Sequence, residues 1–251
     1  MKIRLLEVHS GLSALIAEKS SFDGLWVSSL THSASKGLPD NELVSLSERV
    51  ALVEEVRRVS TKPIVVDIDT GGNIEHLPFY VKWFSQAGAA MLIMEDKRYP
   101  KQNSLLQEGK HQMEDVDIFC QKIKAAKAAA KNIKIIARLE SLIAKRSMYE
   151  ALLRADAYVE AGADGIVIHS KQEISSTEVM EFSEKFRIKH PTVLLVAIPT
   201  TYTLPEIHPF DVVIYANHLL RASLKAMQET AQTIDEKKLA SVKDIFTLTG
   251  Y

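Results

Sequence analysis

The sequence predicts an α/β fold closed into a single (β/α)8 barrel, with more helix at its C-terminal end than the barrel requires. Three observations predict it. About eight short runs of apolar and β-branched residues alternate with helical patterns, the order that a parallel sheet with crossover helices demands. The 251 residues are close to the size at which such a barrel closes. No G-x-G-x-x-G follows the first run, where an open dinucleotide-binding sheet would carry it.

Arg4 to His9 reads as the first strand, and Gly11 to Lys19 as a helix with Leu12, Leu15 and Ile16 on one face. Gly24 to Ser29 is the second strand. A polar stretch from Leu30 to Asn41 then precedes an amphipathic helix carried by Leu43, Leu46, Val50, Leu52, Val53 and Val56. Pro63 to Asp69 is the third strand, ended by Gly71-Gly72, with Leu77 to Gln86 the helix behind it. Ala89 to Glu95 is an unbroken apolar run, as expected of a strand covered on both faces. Asp115 to Ala130 is a long helix rich in Ala and Lys, and Lys134 to Glu140 the fifth strand. Tyr149 to Ala161 is helical and closed by Gly162, and Gly165 to Ser170 is the sixth strand. Ser175 to Ile188 is helical, Thr192 to Pro199 the seventh strand and Asp211 to Asn217 the eighth. His218 to Tyr251 holds one helix and a second after Asp235. No linker or low-complexity tract divides residues 1–251, so one domain is expected.

Composition excludes several function classes. A formal net charge of -1 asks for neither nucleic acid nor an anionic membrane. The single Cys120 excludes an intrachain disulfide and a cysteine metal site, and its setting reads as a helical core thiol. The N-terminal apolar run is too short for a signal peptide, and no 18-residue apolar run occurs. A cytoplasmic protein acting on a small molecule is expected.

Polar groups collect where the strands end: Ser28 and Ser29, Asp67 and Asp69, Glu95 and Asp96, Arg138 and Glu140, His169 and Ser170, Asn217. Barrel chemistry is assembled at those ends, and buried charge is costly without a partner or an ion. Alternation points Asp67 and Asp69 to one side, with Ile68 opposite. Asp67, Asp69 and Glu95 repel one another unless a cation lies between them. All-oxygen ligands without a His/Cys pattern favour a hard ion such as Mg²⁺. Arg138, His169, Lys101 and Asn103 supply donors opposite. Such a site suits an anion bridging metal and arginine, for example a phosphorylated or phosphonate 2-oxo acid. The polar segment from Lys97 to Gln112 follows a strand and reads as a lid.

Asp67-Ile68-Asp69-Thr70-Gly71, Glu95-Asp96-Lys97 and Pro100-Lys101-Gln102-Asn103-Ser104-Leu105 resemble the phosphoenolpyruvate mutase branch of the isocitrate lyase superfamily. The resemblance extends in order through Gly11 to Ile16, Ser33 to Glu42, Arg138 to Glu140, His169 to Lys171, Pro199 to Tyr202 and Ile214 to His218. It implies a Mg²⁺-dependent TIM-type barrel that interconverts phosphoenolpyruvate and phosphonopyruvate. It further implies Asp67 nearest the metal, with Asp40, Asp69 and Glu95 acting mainly through its waters. Ser28, Ser29 and Leu30 would hold the substrate carboxylate, and Trp26 would wall the pocket. Arg138, His169, Asn103 and Ser104 would surround the migrating phosphoryl group and the enolate, with Leu105 beside them. Asp40 and Lys101 join the catalytic set, Lys101 on the closing loop. A homodimer or homo-tetramer is implied, with the surplus helix against a neighbour.

Two departures stand out. Gly is usual where Ser29 stands, and Gly71-Gly72-Asn73 is one residue shorter than the family's loop. The C–C lyases of the superfamily carry a loop cysteine that Lys101 to Ser104 lacks, which disfavours lyase chemistry. Phosphonopyruvate hydrolases typically place Thr where Asn103 stands, so Asn103 favours the mutase. A barrel that bound an anion without turnover would be expected to lack a metal carboxylate or the arginine, and Asp67, Asp69, Glu95 and Arg138 are all present.

Overall fold

The structure, a computed structural model, describes residues 2–106, 111–172, 174–199, 202–205, 208–233 and 248. Eight parallel strands close in sequence order, the last pairing back with the first. They are β1 (Ile3–Val8), β2 (Gly24–Val27), β3 (Ile64–Asp67), β4 (Ala89–Glu95), β5 (Lys134–Leu139), β6 (Gly165–Ile168), β7 (Leu194–Ala197) and β8 (Val212–Tyr215). Outside them run α1 (Gly11–Glu18), α2 (Ser29–Ser35), α3 (Leu46–Val59), α4 (Leu77–Gln86), α5 (Val116–Ala129), α6 (Met148–Glu160), α7 (Thr177–Lys189) and α8 (His218–Thr233). This is the expected α/β barrel.

Local chemistry sets the helix starts. Ser10 with Ser13, and Ser45 with Glu48, form reciprocal capping boxes for α1 and α3. Asp115 and Ser147 accept first-turn N–H groups at the starts of α5 and α6. The α3 start corrects the sequence expectation: Leu43 lies outside the helix and is exposed. A larger correction is α2, which occupies a stretch read as polar loop. That helix buries Thr31, His32 and Ser33 rather than an apolar stripe, so a reading based on apolar periodicity passes over it. It also ends the second strand at Val27, two residues early. The second helix expected after Asp235 lies outside the described residues. Among the described residues no helix is long and apolar enough to cross a membrane.

Two apolar layers hold the barrel. Leu25, Val27, Ile64, Val66, Leu92, Ile135 and Ile166 face the helices, and Cys120 packs half-buried against that layer. Leu5, Trp26, Val65, Ile93, Ile136, Val167, Val196 and Ile214 fill the interior. Strand alternation then fixes what comes next. Two residues beyond Trp26, Val65, Ile93, Ile136 and Val167 stand Ser28, Asp67, Glu95, Arg138 and His169, one step of roughly 6.6 Å nearer the C-terminal mouth. Gly165 admits this packing at the base, because a Cβ there would lie 2.7 Å from Leu194 Cβ and 2.8 Å from its carbonyl oxygen.

His32 on α2 is buried, and its Nδ1 has no hydrogen-bond partner. Burial first, and then the Arg49 guanidinium, lower its pKa from 6.5 to about 4. Folding therefore excludes a proton that the unfolded chain accepts. Stability from this group is intact above about pH 6.5 and is lost as pH falls toward 4, by up to roughly 3 kcal/mol. Urea midpoints should drop between about pH 7 and about pH 4.5, and His32→Gln should flatten part of that drop. An unchanged slope in the variant would contradict the assignment.

Candidate active site

A cavity of about 430 Å³ opens at the C-terminal mouth of the barrel. Trp26, Ser28, Ser29, Leu30, Asp40, Asp67, Lys101, Asn103, Ser104, Leu105, Arg138 and His169 all line it. Every residue expected for substrate binding or catalysis is thus brought to one place. Two of the expected metal residues are not on this wall. Glu95 lies fully buried behind it, and Asp69 lines a neighbouring cavity of about 640 Å³ instead. The reason is backbone geometry: β3 stops at Asp67, and Asp69 adopts a left-handed conformation with φ 53°. Strand alternation does not extend to it.

Lys101 and Ser29 knit the acidic half together. Lys101 Nζ lies 2.9 Å from Asp69 Oδ1, 3.1 Å from Asp40 Oδ2 and 3.6 Å from Glu95 Oε1. It also donates to Ser29 Oγ at 2.9 Å, and Ser29 Oγ donates to Asp67 Oδ2 at 3.0 Å. Asn103 Nδ2 donates to Asp40 Oδ2 at 2.6 Å, while its Oδ1 accepts from the Leu105 amide at 2.9 Å.

Arg138 organises the basic half. Its Nε donates to Glu140 Oε1 at 2.6 Å, and one terminal nitrogen donates to Ser104 Oγ at 3.2 Å. The other terminal nitrogen faces Asp67 at 3.6 Å. His169 Nδ1 lies 2.9 Å from Arg138 and 3.0 Å from Glu140, so the ring is fixed whichever nitrogen carries the hydrogen. Burial first, and then Arg138, hold His169 below the ordinary histidine range, favouring a neutral ring. Lys97 reaches the same carboxylate from below, at 3.0 Å from Glu140, and donates to the Gln102 carbonyl at 2.9 Å.

These neighbours split the carboxylates electrostatically. Burial would raise both Asp69 and Glu140, but Arg49 and Lys101 hold Asp69 well below its usual range, and Arg138 with Lys97 does the same to Glu140. Burial pushes Glu95 up to about 7 against the pull of Lys101, Lys97 and Arg138. Its cations stand at 3.6 to 4.0 Å, too far for hydrogen bonds.

The donor set is suited to a hard cation. Asp40 Oδ1 and both Glu95 carboxylate oxygens are buried and accept no hydrogen bond, and unfilled carboxylate lone pairs are what Mg²⁺ takes up. Among the described residues no three carboxylate, imidazole or thiol groups converge as a metal cage. The Lys101 ammonium stands among the carboxylates instead.

Two residues escaped the sequence reading. Arg49 is fully buried on α3 and donates to the Asp67 carbonyl at 2.8 Å and to Asp69 Oδ2. Its spacing from Leu46, Leu52, Val53 and Val56 placed a cation on the core face, and that signal was available. Glu42, with φ 64°, accepts from Thr70 N at 3.1 Å and Thr70 Oγ1 at 2.7 Å, and its other oxygen accepts from the Lys101 amide at 2.8 Å. It fastens the loop to the end of β3, a tertiary contact that no local pattern announces.

Comparison with known proteins bears on this geometry. The family pattern described as phosphoenolpyruvate phosphomutase matches residues 2–235. The phosphoenolpyruvate phosphomutase of Tetrahymena pyriformis is 37% identical over 98% of this chain and 86% of its own length. The phosphonopyruvate hydrolase of Variovorax sp. (strain Pal2) is 36% identical over 98% of this chain and 89% of its own. A crystal structure of phosphonopyruvate hydrolase in complex with oxalate and Mg²⁺ superposes with a TM-score of 0.86 at 33% identity, covering 99% of this chain and 90% of that one.

Arg49 offers a direct test of the charge pairing. Arg49→Met removes the cation beside a fully buried Asp69, and should cost about 3–5 kcal/mol in urea unfolding. A cost below about 1 kcal/mol would mean that Asp69 is neutralised by Lys101 alone.

Proposed function

Because the chain belongs to the phosphoenolpyruvate phosphomutase family, we propose that its site interconverts phosphoenolpyruvate and phosphonopyruvate, in the cytoplasm and as a homodimer or homo-tetramer. The observation that carries the reading is the meeting of Asp67, Arg138, His169 and the loop residues Lys101, Asn103 and Ser104 around one cavity. The reaction is an isomerisation. The C–P bond of phosphonopyruvate breaks, an O–P bond to the enolate oxygen forms, and no proton is gained or lost.

Asp67, with Asp40, Asp69 and Glu95, would hold Mg²⁺, which supplies Lewis-acid stabilisation of the enolate oxygen and the carboxylate. The chain's own residues do the rest. A phosphoryl group in transit passes through a loose, metaphosphate-like state, which asks for positioning and electrostatic stabilisation more than covalent help. Arg138 and His169, held rigid by Glu140, donate to the phosphoryl oxygens. Ser28, Ser29 and Leu30 grip the carboxylate end, and Trp26 walls the pocket so the pyruvate enolate cannot turn away.

Water must be kept out, because it would capture the phosphoryl group and turn isomerisation into hydrolysis. The loop is fastened for that purpose at four points: Glu42 to the Lys101 amide, Asp40 to Asn103, Lys97 to the Gln102 carbonyl, and Glu140 to Ser104. Hydrolysis is the second reading, favoured by a hydrolase relative nearly as similar as the mutase. Against it, Asn103 spends one donor on Asp40 and keeps the loop shut.

³¹P NMR of the protein with phosphonopyruvate and Mg²⁺ separates the two readings. The phosphoenolpyruvate resonance should grow; inorganic phosphate growing in its place would overturn the mutase assignment. Asn103→Thr should lower mutase flux about ten- to a hundred-fold, the worth of one hydrogen bond to a charged group. A variant with wild-type flux would show that Asn103 does not set the outcome.

A further inference from the structure

We infer that Asp96, whose carboxylate lies outside the cavity, is a positioning residue for Arg138 and His169: it holds the Glu140 backbone and the returning end of the loop after β4 against α6. The inference rests on reading Arg138 and His169 as the donors to the phosphoryl group, and not on which phosphorus product forms.

Asp96 follows Glu95 directly, so alternation turns it outward, toward the helices, where Glu95 turns inward. It is fully buried there and forms no part of the cavity wall. Its backbone amide continues the β4–β5 ladder, donating to the Arg138 carbonyl at 3.1 Å. In a regular parallel ladder the Asp96 carbonyl would then accept from the Glu140 amide. It does not. The carbonyl accepts from the Glu114 amide at 2.9 Å, and the Glu140 amide donates to Asp96 Oδ1 at 2.8 Å. One residue therefore ends the ladder and ties down both the end of β5 and the return of the loop.

The other carboxylate oxygen is held by α6. The Tyr158 hydroxyl donates to Asp96 Oδ2 at 2.8 Å, and an Arg154 terminal nitrogen lies 3.4 Å from it. The same nitrogen donates to the Glu114 carbonyl and to the Tyr158 hydroxyl oxygen, both at 3.0 Å. Asp96, Arg154, Tyr158 and Glu114 thus form one buried knot behind the wall of the site. The helix does not depend on it for attachment, because Ala151, Leu152 and Ala155 also pack on the apolar layer.

The knot reaches the site because of what Glu140 carries. Its carboxylate is 2.6 Å from Arg138 Nε, 3.0 Å from His169 Nδ1 and 3.0 Å from Lys97 Nζ, and it accepts from Ser104 Oγ. A shift of the Glu140 backbone therefore moves the partner of four groups at once, Arg138 and His169 among them. Placement of such donors to within a fraction of an ångström is what stabilises charge in a transition state.

Asp96→Asn tests this, because an amide offers one oxygen and one NH₂ where the carboxylate offers two oxygens. Whichever way it turns, the NH₂ faces either the Glu140 amide or the Tyr158 hydroxyl and Arg154, and one side of the tie is lost. ¹⁵N NMR of the histidine rings, read without substrate, reports the placement. The His169 signals, identified by their absence in His169→Gln, should move in Asp96→Asn. They should move in the same direction by less in Tyr158→Phe, which carries the test should Asp96→Asn fail to fold. Leu152→Ala loosens α6 without touching Asp96; it should lower the urea midpoint and leave those signals in place. His169 signals unmoved in folded Asp96→Asn or Tyr158→Phe, or moved as far by Leu152→Ala, would overturn the inference. With phosphonopyruvate and Mg²⁺, Asp96→Asn should lower kcat about ten-fold, with KM nearly unchanged, because the groups gripping the substrate carboxylate are not attached to the knot. A loss expressed in KM alone, or an unchanged kcat, would also overturn it. A wild-type protein that leaves phosphonopyruvate untouched would overturn the proposed reaction, while the histidine signals would still show whether Asp96 places His169.

Discussion

Balancing charge in a dry place is the constraint on which the barrel mouth depends. Asp40, Asp67, Asp69, Glu95 and Glu140 are all buried there, and so are Arg49, Lys97, Lys101 and Arg138. None of these groups is tolerable alone, because an unpaired buried charge costs several kcal/mol. Their partners come from distant parts of the chain: Arg49 from α3, Lys101 from the loop after β4, Arg138 from β5. Closing the barrel and closing the loop are therefore what make the charges affordable, and the charges in turn dictate where helix and loop must lie.

That arrangement limits the chemistry. Pairing pulls the neighbouring groups apart: adjacent cations hold Asp69 and Glu140 well below the usual carboxylate range, burial and Arg138 hold His169 below the ordinary histidine range, and burial pushes Glu95 up to about 7. Migration of a phosphoryl group between carbon and oxygen needs no proton exchange, only fixed donors and an absence of water.

Much of this was legible in the sequence for a simple reason. Barrel chemistry gathers at strand ends, so the polar groups that close the apolar runs, Ser28, Asp67, Glu95, Arg138 and His169, could be picked out there, and each stands two residues beyond an interior residue, Trp26, Val65, Ile93, Ile136 or Val167. The failures share a cause too. Helix α2 buries hydroxyls and an imidazole, which apolar periodicity does not register. Asp69 leaves the strand's alternation through one left-handed residue, and so turns from the main cavity toward its neighbour. Arg49 sits on a core face where a cation is unexpected, and the Glu42 clasp joins residues far apart in sequence, beyond the reach of any local pattern.

The claim at the centre is that phosphoryl transfer here proceeds without water. Turnover of phosphonopyruvate in ¹⁸O-enriched water, followed by the isotope shift of the ³¹P resonances, reads that claim on the product itself. The account predicts phosphoenolpyruvate whose phosphorus carries no ¹⁸O from solvent. Inorganic phosphate bearing a single solvent ¹⁸O as the main product would contradict it.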